Sequence, residues 1–216
     1  MTSASVAGSD RTRLLARGRR LEVFTLAWNS LEALVSISAG LLAGSVSLIG
    51  FGLDSVIESL SGAILLWRLG ADEPGREDRA RRLVSITFFL LALYVGLGSA
   101  RSLVLRQPPE ASPVGILIAT LSLIVMPLLA RAKRRVAAEL SSQALVADSR
   151  QTDLCAVLSA ILLAGLACNA VLGWWWADPV AGLLMVPVIG SEGRRAWRGE
   201  ECTDCRPASH IERRNV

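Results

Sequence analysis

Histidine is nearly missing from this chain. The single one, His210, stands near the C-terminal end, outside every apolar stretch. Any chemistry inside the apolar segments must therefore work without imidazole, and a Ser–His–Asp set cannot form there. Four cysteines, at 155, 168, 202 and 205, are too few and too scattered for a disulfide framework. No phosphate-cradling glycine loop occurs: Gly50 and Gly52 lie within an apolar run and lack the strand–turn–helix context of a dinucleotide fingerprint. Basic residues interleaved with aromatics, as a nucleic-acid surface needs, are also lacking. Enzymatic and nucleic-acid functions are thus not expected, nor is a prosthetic group. The N-terminus lacks a cleavable leader pattern, because residues 1–10 are polar and the basic stretch 11–20 runs directly into a long apolar segment.

Hydrophobic residues are abundant, at 52% of the chain with a mean hydropathy of +0.45. They fall into blocks of about twenty, the length of a helix that crosses a bilayer. Six such blocks are expected, at about 21–42, 45–67, 83–105, 113–130, 149–172 and 174–189. The sixth is the shortest, and Pro127 is expected to kink the C-terminal end of the fourth. The chain thus reads as an all-α membrane protein, a bundle of six transmembrane helices over 21–191. A basic N-terminal segment, 1–20, precedes it, and a short tail, 192–216, with Cys202-Thr203-Asp204-Cys205, follows.

The net charge of +4 rests mostly on arginine, and its placement sets a topology. The N-terminal segment holds five arginines, the stretch 68–82 holds five more, Arg131 to Arg135 follows the fourth block, and Arg194, Arg195 and Arg198 follow the sixth. The alternate connections hold only Arg101 and Arg106. The positive-inside rule then places both termini in the cytoplasm, with the Trp174-Trp175-Trp176 triplet as an interfacial anchor on the far side. The expected location is a cell membrane, the inner one in a bacterium.

Within the second block stand two carboxylates, Asp54 and Glu58, four residues apart and so on one helical face. They continue a small or polar stripe of Ser47, Gly50, Asp54, Glu58 and Ser61. Like charges repel, and lipid raises the cost of ionising either; a cation between them relieves both problems. The fifth block offers Asp148, Gln151, Thr152, Cys155 and Ser159, and the first adds Asn29 and Glu32. A site of Asp54, Glu58, Gln151 and Cys155 would present two carboxylates, an amide oxygen and a thiol, which suit divalent first-row metals. Cys155 admits simple packing as its other role, and Gln151 an interhelical hydrogen bond. Asp148 is expected at the mouth of the site or as a helix cap, Asp153 at the interface, and Asn29 and Glu32 as supporting interhelical contacts. Cys202, Cys205 and His210 could hold a soft metal or form a tail of reduced thiols. Because carboxylates must lose protons to bind metal, occupancy would be linked to protons. A faint repeat, Ala63-Ile64-Leu65-Leu66 and Ala160-Ile161-Leu162-Leu163, puts Gln151 in register with Asp54 and Cys155 with Glu58.

Over about 21–199 the chain resembles the cation diffusion facilitator (cation efflux) family. The resemblance rests on Gly50-Phe51-Gly52-Leu53-Asp54-Ser55-Val56-Ile57-Glu58-Ser59 and on Ala147-Asp148-Ser149-Arg150-Gln151-Thr152-Asp153-Leu154-Cys155. Gly173-Trp174-Trp175-Trp176-Ala177-Asp178-Pro179 marks a bacterial branch. It implies six transmembrane helices, export of zinc or a related divalent ion in exchange for protons, and a homodimer. It also implies a metal site at Asp54 and Glu58 and, where the family carries a His and an Asp four apart, at Gln151 and Cys155. No cytoplasmic metal-binding domain of the kind many members carry is expected after the sixth helix, so a dimer would rest on membrane helices. The other reading is a non-transporting membrane sensor or assembly partner that keeps this fold.

Overall fold

The computed structural model describes residues 3–68, 76–140 and 142–198, and within them the chain is six α-helices. They are α1 (Ser3–Ala43), α2 (Val46–Arg68), α3 (Arg76–Val104), α4 (Pro113–Leu140), α5 (Gln143–Leu172) and α6 (Ala177–Arg198). The CxxC tail and His210 lie outside the described residues.

Local chemistry sets the breaks between helices. Gly44, at φ 66°, takes the left-handed conformation that ends α1, and the Ser45 hydroxyl then accepts from the Leu48 amide (3.1 Å) to start α2. The Ser112 hydroxyl does the same for the Gly115 amide of α4 (3.1 Å), and that of Ser142 for the Leu145 amide of α5 (3.4 Å). Gly173, at φ 67°, closes α5 by donating its amide to the Asn169 carbonyl (3.1 Å).

Five helices contain stretches long and apolar enough to span a membrane: Thr12–Ala43, Val46–Ala63, Ser85–Val104, Pro113–Leu140 and Asp148–Leu172. The sixth expected block is a helix, but Asp178, Glu192 and the arginines after it leave it less apolar. One expected boundary moves. Residues 3–20 are helical and continuous with the first span, since α1 begins at Ser3. The fourth helix runs through Pro127 and ten residues past its expected end, to Leu140. The added turns are held by burial, because Val136 and Ala137 pack with Leu145 in a small apolar cluster between α4 and α5.

The main helix pairs are α1 with α2, α4 with α5, and α3 with α6; α1 also meets α4, and α5 meets α6. The second helix touches α1, α3, α5 and α6 and is the most enclosed, with 56% of its span buried against 33–39% for the other four spans. Large apolar side chains such as Leu34, Leu42, Leu97 and Val171 face outward, whereas Asn29, Glu32, Ser36, Ser47, Ser55, Ser122 and Thr152 are buried. A membrane bundle has this distribution, since lipid solvates the outside and polar groups must find partners inside.

Small residues let the helices approach. A Cβ on Gly52 would lie 2.7 Å from Ile37 Cγ1 and 3.0 Å from the Ile37 backbone nitrogen, so α1 and α2 meet there nearly backbone to backbone. Gly52→Ala is therefore expected to destabilise the protein by about 1–3 kcal/mol, the usual range for overpacking. Gly190, with no neighbour within 4 Å of its would-be Cβ, should tolerate alanine with unchanged or slightly raised stability. Thermal unfolding of the purified variants checks this, and equal midpoints for the two would contradict the close α1–α2 approach.

Candidate cation site

The polar residues of the interior form two connected groups. They are ordered from the basic end of the bundle, where α1 and α5 begin and α4 and α6 finish.

Nearest that end is an ammonium between two carboxylates. Lys133 of α4 lies 3.0 Å from Glu22 Oε2 of α1 and 2.6 Å from Asp148 Oδ2 of α5, and all three are buried. Lys133 is only 1% exposed and is the only lysine in the sequence. Its ammonium also donates to the Thr152 hydroxyl (3.4 Å), which in turn donates to Glu58 Oε1 (2.9 Å). Thr152 thus ties the ion group to the carboxylate pair of α2.

Deeper in the bundle stand Asp54 and Glu58, 7% and 3% exposed. The carboxylates of Glu58, Glu32 and Glu192 lie within electrostatic reach of Asp54. Glu58 Oε2 is buried without a hydrogen-bond partner, and the Asn29 amide stands beside Glu58 without completing a hydrogen bond. Glu32 is the opposite case. Its Oε1 accepts from Ser55 of α2 (2.5 Å) and Cys155 of α5 (3.5 Å); its Oε2 accepts from Trp28 of α1 (3.0 Å) and from Ser122 of α4. One carboxylate thereby joins four helices.

The sequence-expected residues sort as follows. Asp54 and Glu58 come together as their spacing requires. Cys155 is fully buried and faces Glu32, within the electrostatic reach of Asp54 and Glu58. Gln151 is only half-buried, and its side-chain nitrogen has no partner. Asp148 is not a helix cap, since it lies inside α5 and Ser142 holds the cap; it is paired with Lys133. Asp153 faces the outside and pairs with Arg134 of α4. Among the described residues, no three His, Cys, Asp or Glu side chains are grouped so as to hold a metal. Asp54, Glu58 and Cys155 share the interior, and joint ligation requires them to turn toward one another.

Three site residues escape a hydropathy reading: Glu22, Lys133 and Glu192. Their signal is face periodicity. Lys133 continues the buried row Met126, Leu129, Ala130, Val136 and Ala137 of α4, and Glu22 begins the buried row Thr25, Asn29, Glu32 and Ser36 of α1. At the far end, Asp178 of α6 accepts from Ser45 (2.7 Å) and from Ser47, which anchors the start of α6 to the start of α2.

A family model described as the cation efflux transmembrane domain matches residues 77–198. Transmembrane protein 163 of Xenopus laevis is 27% identical over 188 residues, which cover 82% of this chain and 67% of that protein. An uncharacterized transporter of Methanocaldococcus jannaschii is 28% identical over 178 residues, 77% of this chain and 62% of the relative. The cation-efflux pump FieF of Shewanella oneidensis is 25% identical over 173 residues, 73% of this chain and 57% of the pump. The chain thus spans between about half and two thirds of the length of these relatives. With its apolar helices, the match makes it a multi-pass membrane protein.

Replacing Glu32 with leucine removes the acceptor of four buried donors. The expected loss is on the order of 3 kcal/mol, and Glu32→Gln, which keeps one acceptor oxygen, should lose less. Denaturant titration of both variants measures this; equal, near-zero losses would show that the four bonds do not hold the bundle.

Proposed function

The chain belongs to the cation efflux family, and from that premise we propose that it exports a divalent first-row metal ion from the cytoplasm in exchange for protons. The carrying observation is the incompletely compensated carboxylate pair of α2. The charges within electrostatic reach of Asp54 are other carboxylates, and although Glu58 Oε1 accepts from Thr152, its other oxygen is buried without a partner. A carboxylate in a membrane span is stable when protonated or when it holds a cation. Two states follow: one with a metal on ionised Asp54 and Glu58, the other with protons in its place. Alternating access of these states to the two sides amounts to metal–proton exchange.

In this mechanism Asp54 and Glu58 are the primary ligands, and Cys155 and Gln151 complete the set from α5. Cys155 already lies beside the pair; Gln151 joins by a change of side-chain orientation. Asp148 stands toward the basic end, on the approach to the pair. The arginine distribution supports cytoplasmic termini and hence export from the basic end outward. The name of the Shewanella relative, a cation-efflux pump, supports the transport reading, and the donor set supports a divalent metal such as zinc.

The test is uptake of zinc and other divalent ions into proteoliposomes under an imposed pH gradient. Uptake should follow the gradient and reverse with it. Asp54→Asn and Glu58→Gln should each reduce it at least a hundredfold while leaving membrane insertion and folding intact. Absence of uptake of any ion by folded wild-type protein would instead favour the sensor or assembly role.

A further inference from the structure

We propose that Lys133 is an internal gating cation. Paired with Glu22 and Asp148, it closes the basic-end approach to the Asp54–Glu58 pair, and an arriving divalent cation opens that approach by replacing the ammonium on Asp148.

The placement carries the argument. Lys133 comes from α4, Glu22 from α1 and Asp148 from α5, so the ion group pins together three helices at one level of the bundle. The second helix borders it as well, because Gly62 lies directly against the Glu22 carboxylate and Glu58 accepts from Thr152. Helices α1, α2, α4 and α5 therefore all border this ion group. Cys155 follows Asp148 by seven residues, about 10 Å deeper along α5 at the α-helical rise. Along α5, the Lys133 group therefore lies between the basic end and Cys155.

The charges of the group match a replaceable cation. Lys133 faces Glu22 and Asp148 directly and Glu58 through Thr152, three carboxyl groups to one ammonium. A purely structural pair would balance one acid with one base. Here acid is in excess, and a divalent ion is attracted to the position the ammonium occupies. An ammonium on a flexible four-carbon stem can swing away when its carboxylate is taken; a rigid, bidentate guanidinium is the poorer choice for a part that must release. The only lysine of the sequence is buried, while the arginines described with it on α4, Arg131, Arg134 and Arg135, are exposed.

The cation half of this proposal rests on the transport function proposed above, while the closure half does not, and the experiment separates them. The full-length protein is prepared with Cys168, Cys202 and Cys205 replaced by serine, which leaves Cys155 as the single thiol. Its labelling by a hydrophilic methanethiosulfonate is followed for the parent, Lys133→Gln, Lys133→Arg and Asp148→Asn. Closure predicts labelling at least tenfold faster in Lys133→Gln and in Asp148→Asn, with Lys133→Arg within about threefold of the parent. Rates within twofold of the parent in both Lys133→Gln and Asp148→Asn overturn the gate. Asp148→Asn keeps the Lys133–Glu22 contact, so it serves if Lys133→Gln does not fold. Replacement by a cation is read on the unmutated protein. Acylation of Lys133 by a water-soluble succinimidyl ester, quantified by peptide mass spectrometry, should rise at least fivefold on adding zinc chloride and stay unchanged with sodium chloride of equal ionic strength. No rise with zinc, in protein that transports zinc, overturns the displacement step. Fast labelling in the variants together with no uptake of any ion would leave the gate standing and remove the transport reading.

Discussion

Carboxylates held out of water are the constraint on which the rest of this bundle depends. Asp54, Glu58, Glu32, Glu22, Asp148 and Asp178 are all buried. Each is a liability in a medium without water, where an unpaired charge costs several kcal/mol or more. The structure meets that liability in three ways. Glu32 and Asp178 are satisfied by hydrogen bonds from hydroxyl, indole and thiol donors. Glu22 and Asp148 share an ammonium. Asp54 and Glu58 are left the least compensated, and the proposed transport rests on that unbalanced charge.

Helix packing follows from the same constraint. The donors that satisfy Glu32 come from four helices, so their axes must lie close enough for short side chains to span the gap. Gly52 against Ile37 and Gly62 against Glu22 provide that closeness. Serine and threonine then serve as both small spacers and donors: Ser55, Ser122 and Thr152 each link two helices through one hydroxyl. Enclosure of α2 by four neighbours places its carboxylates at the centre and leaves the apolar side chains of the outer helices to the lipid.

Symmetry of function along the bundle axis also emerges. At the far end, Asp178 fastens the beginning of α6 to the beginning of α2 through Ser45 and Ser47. At the basic end, Lys133 fastens α4 to α1 and α5. The Asp54–Glu58 pair sits between the two fastenings, on the helix that both reach. Movement that opens one end while the other stays tied is what alternating access requires, and the two ends differ in chemistry: neutral hydroxyls on a carboxylate at one, an ion group at the other.

Much was legible in the sequence because one-dimensional patterns report it directly. Block length fixed the helical class and the number of helices, and the spacing of Asp54 and Glu58 fixed their common face. Helix ends were harder, because hydropathy stops counting at the first charges, whereas α1 and α4 continue beyond them, α4 with Val136 and Ala137 packed against Leu145. What only tertiary structure decided is which charges belong to the interior. Lys133 sits among Arg131, Arg134 and Arg135, and hydropathy treats it as it treats them; it is buried because helix rotation aims it at Glu22 and Asp148, residues distant in the chain. Glu32, likewise, becomes the hub of four helices, and the Gln151 side-chain nitrogen is left without a partner, through rotations of α1 and α5 that depend on their neighbours. A sequence states which groups a helix carries and at what spacing; the energy of a buried charge depends on what lies across from it, and that is settled only when the helices pack.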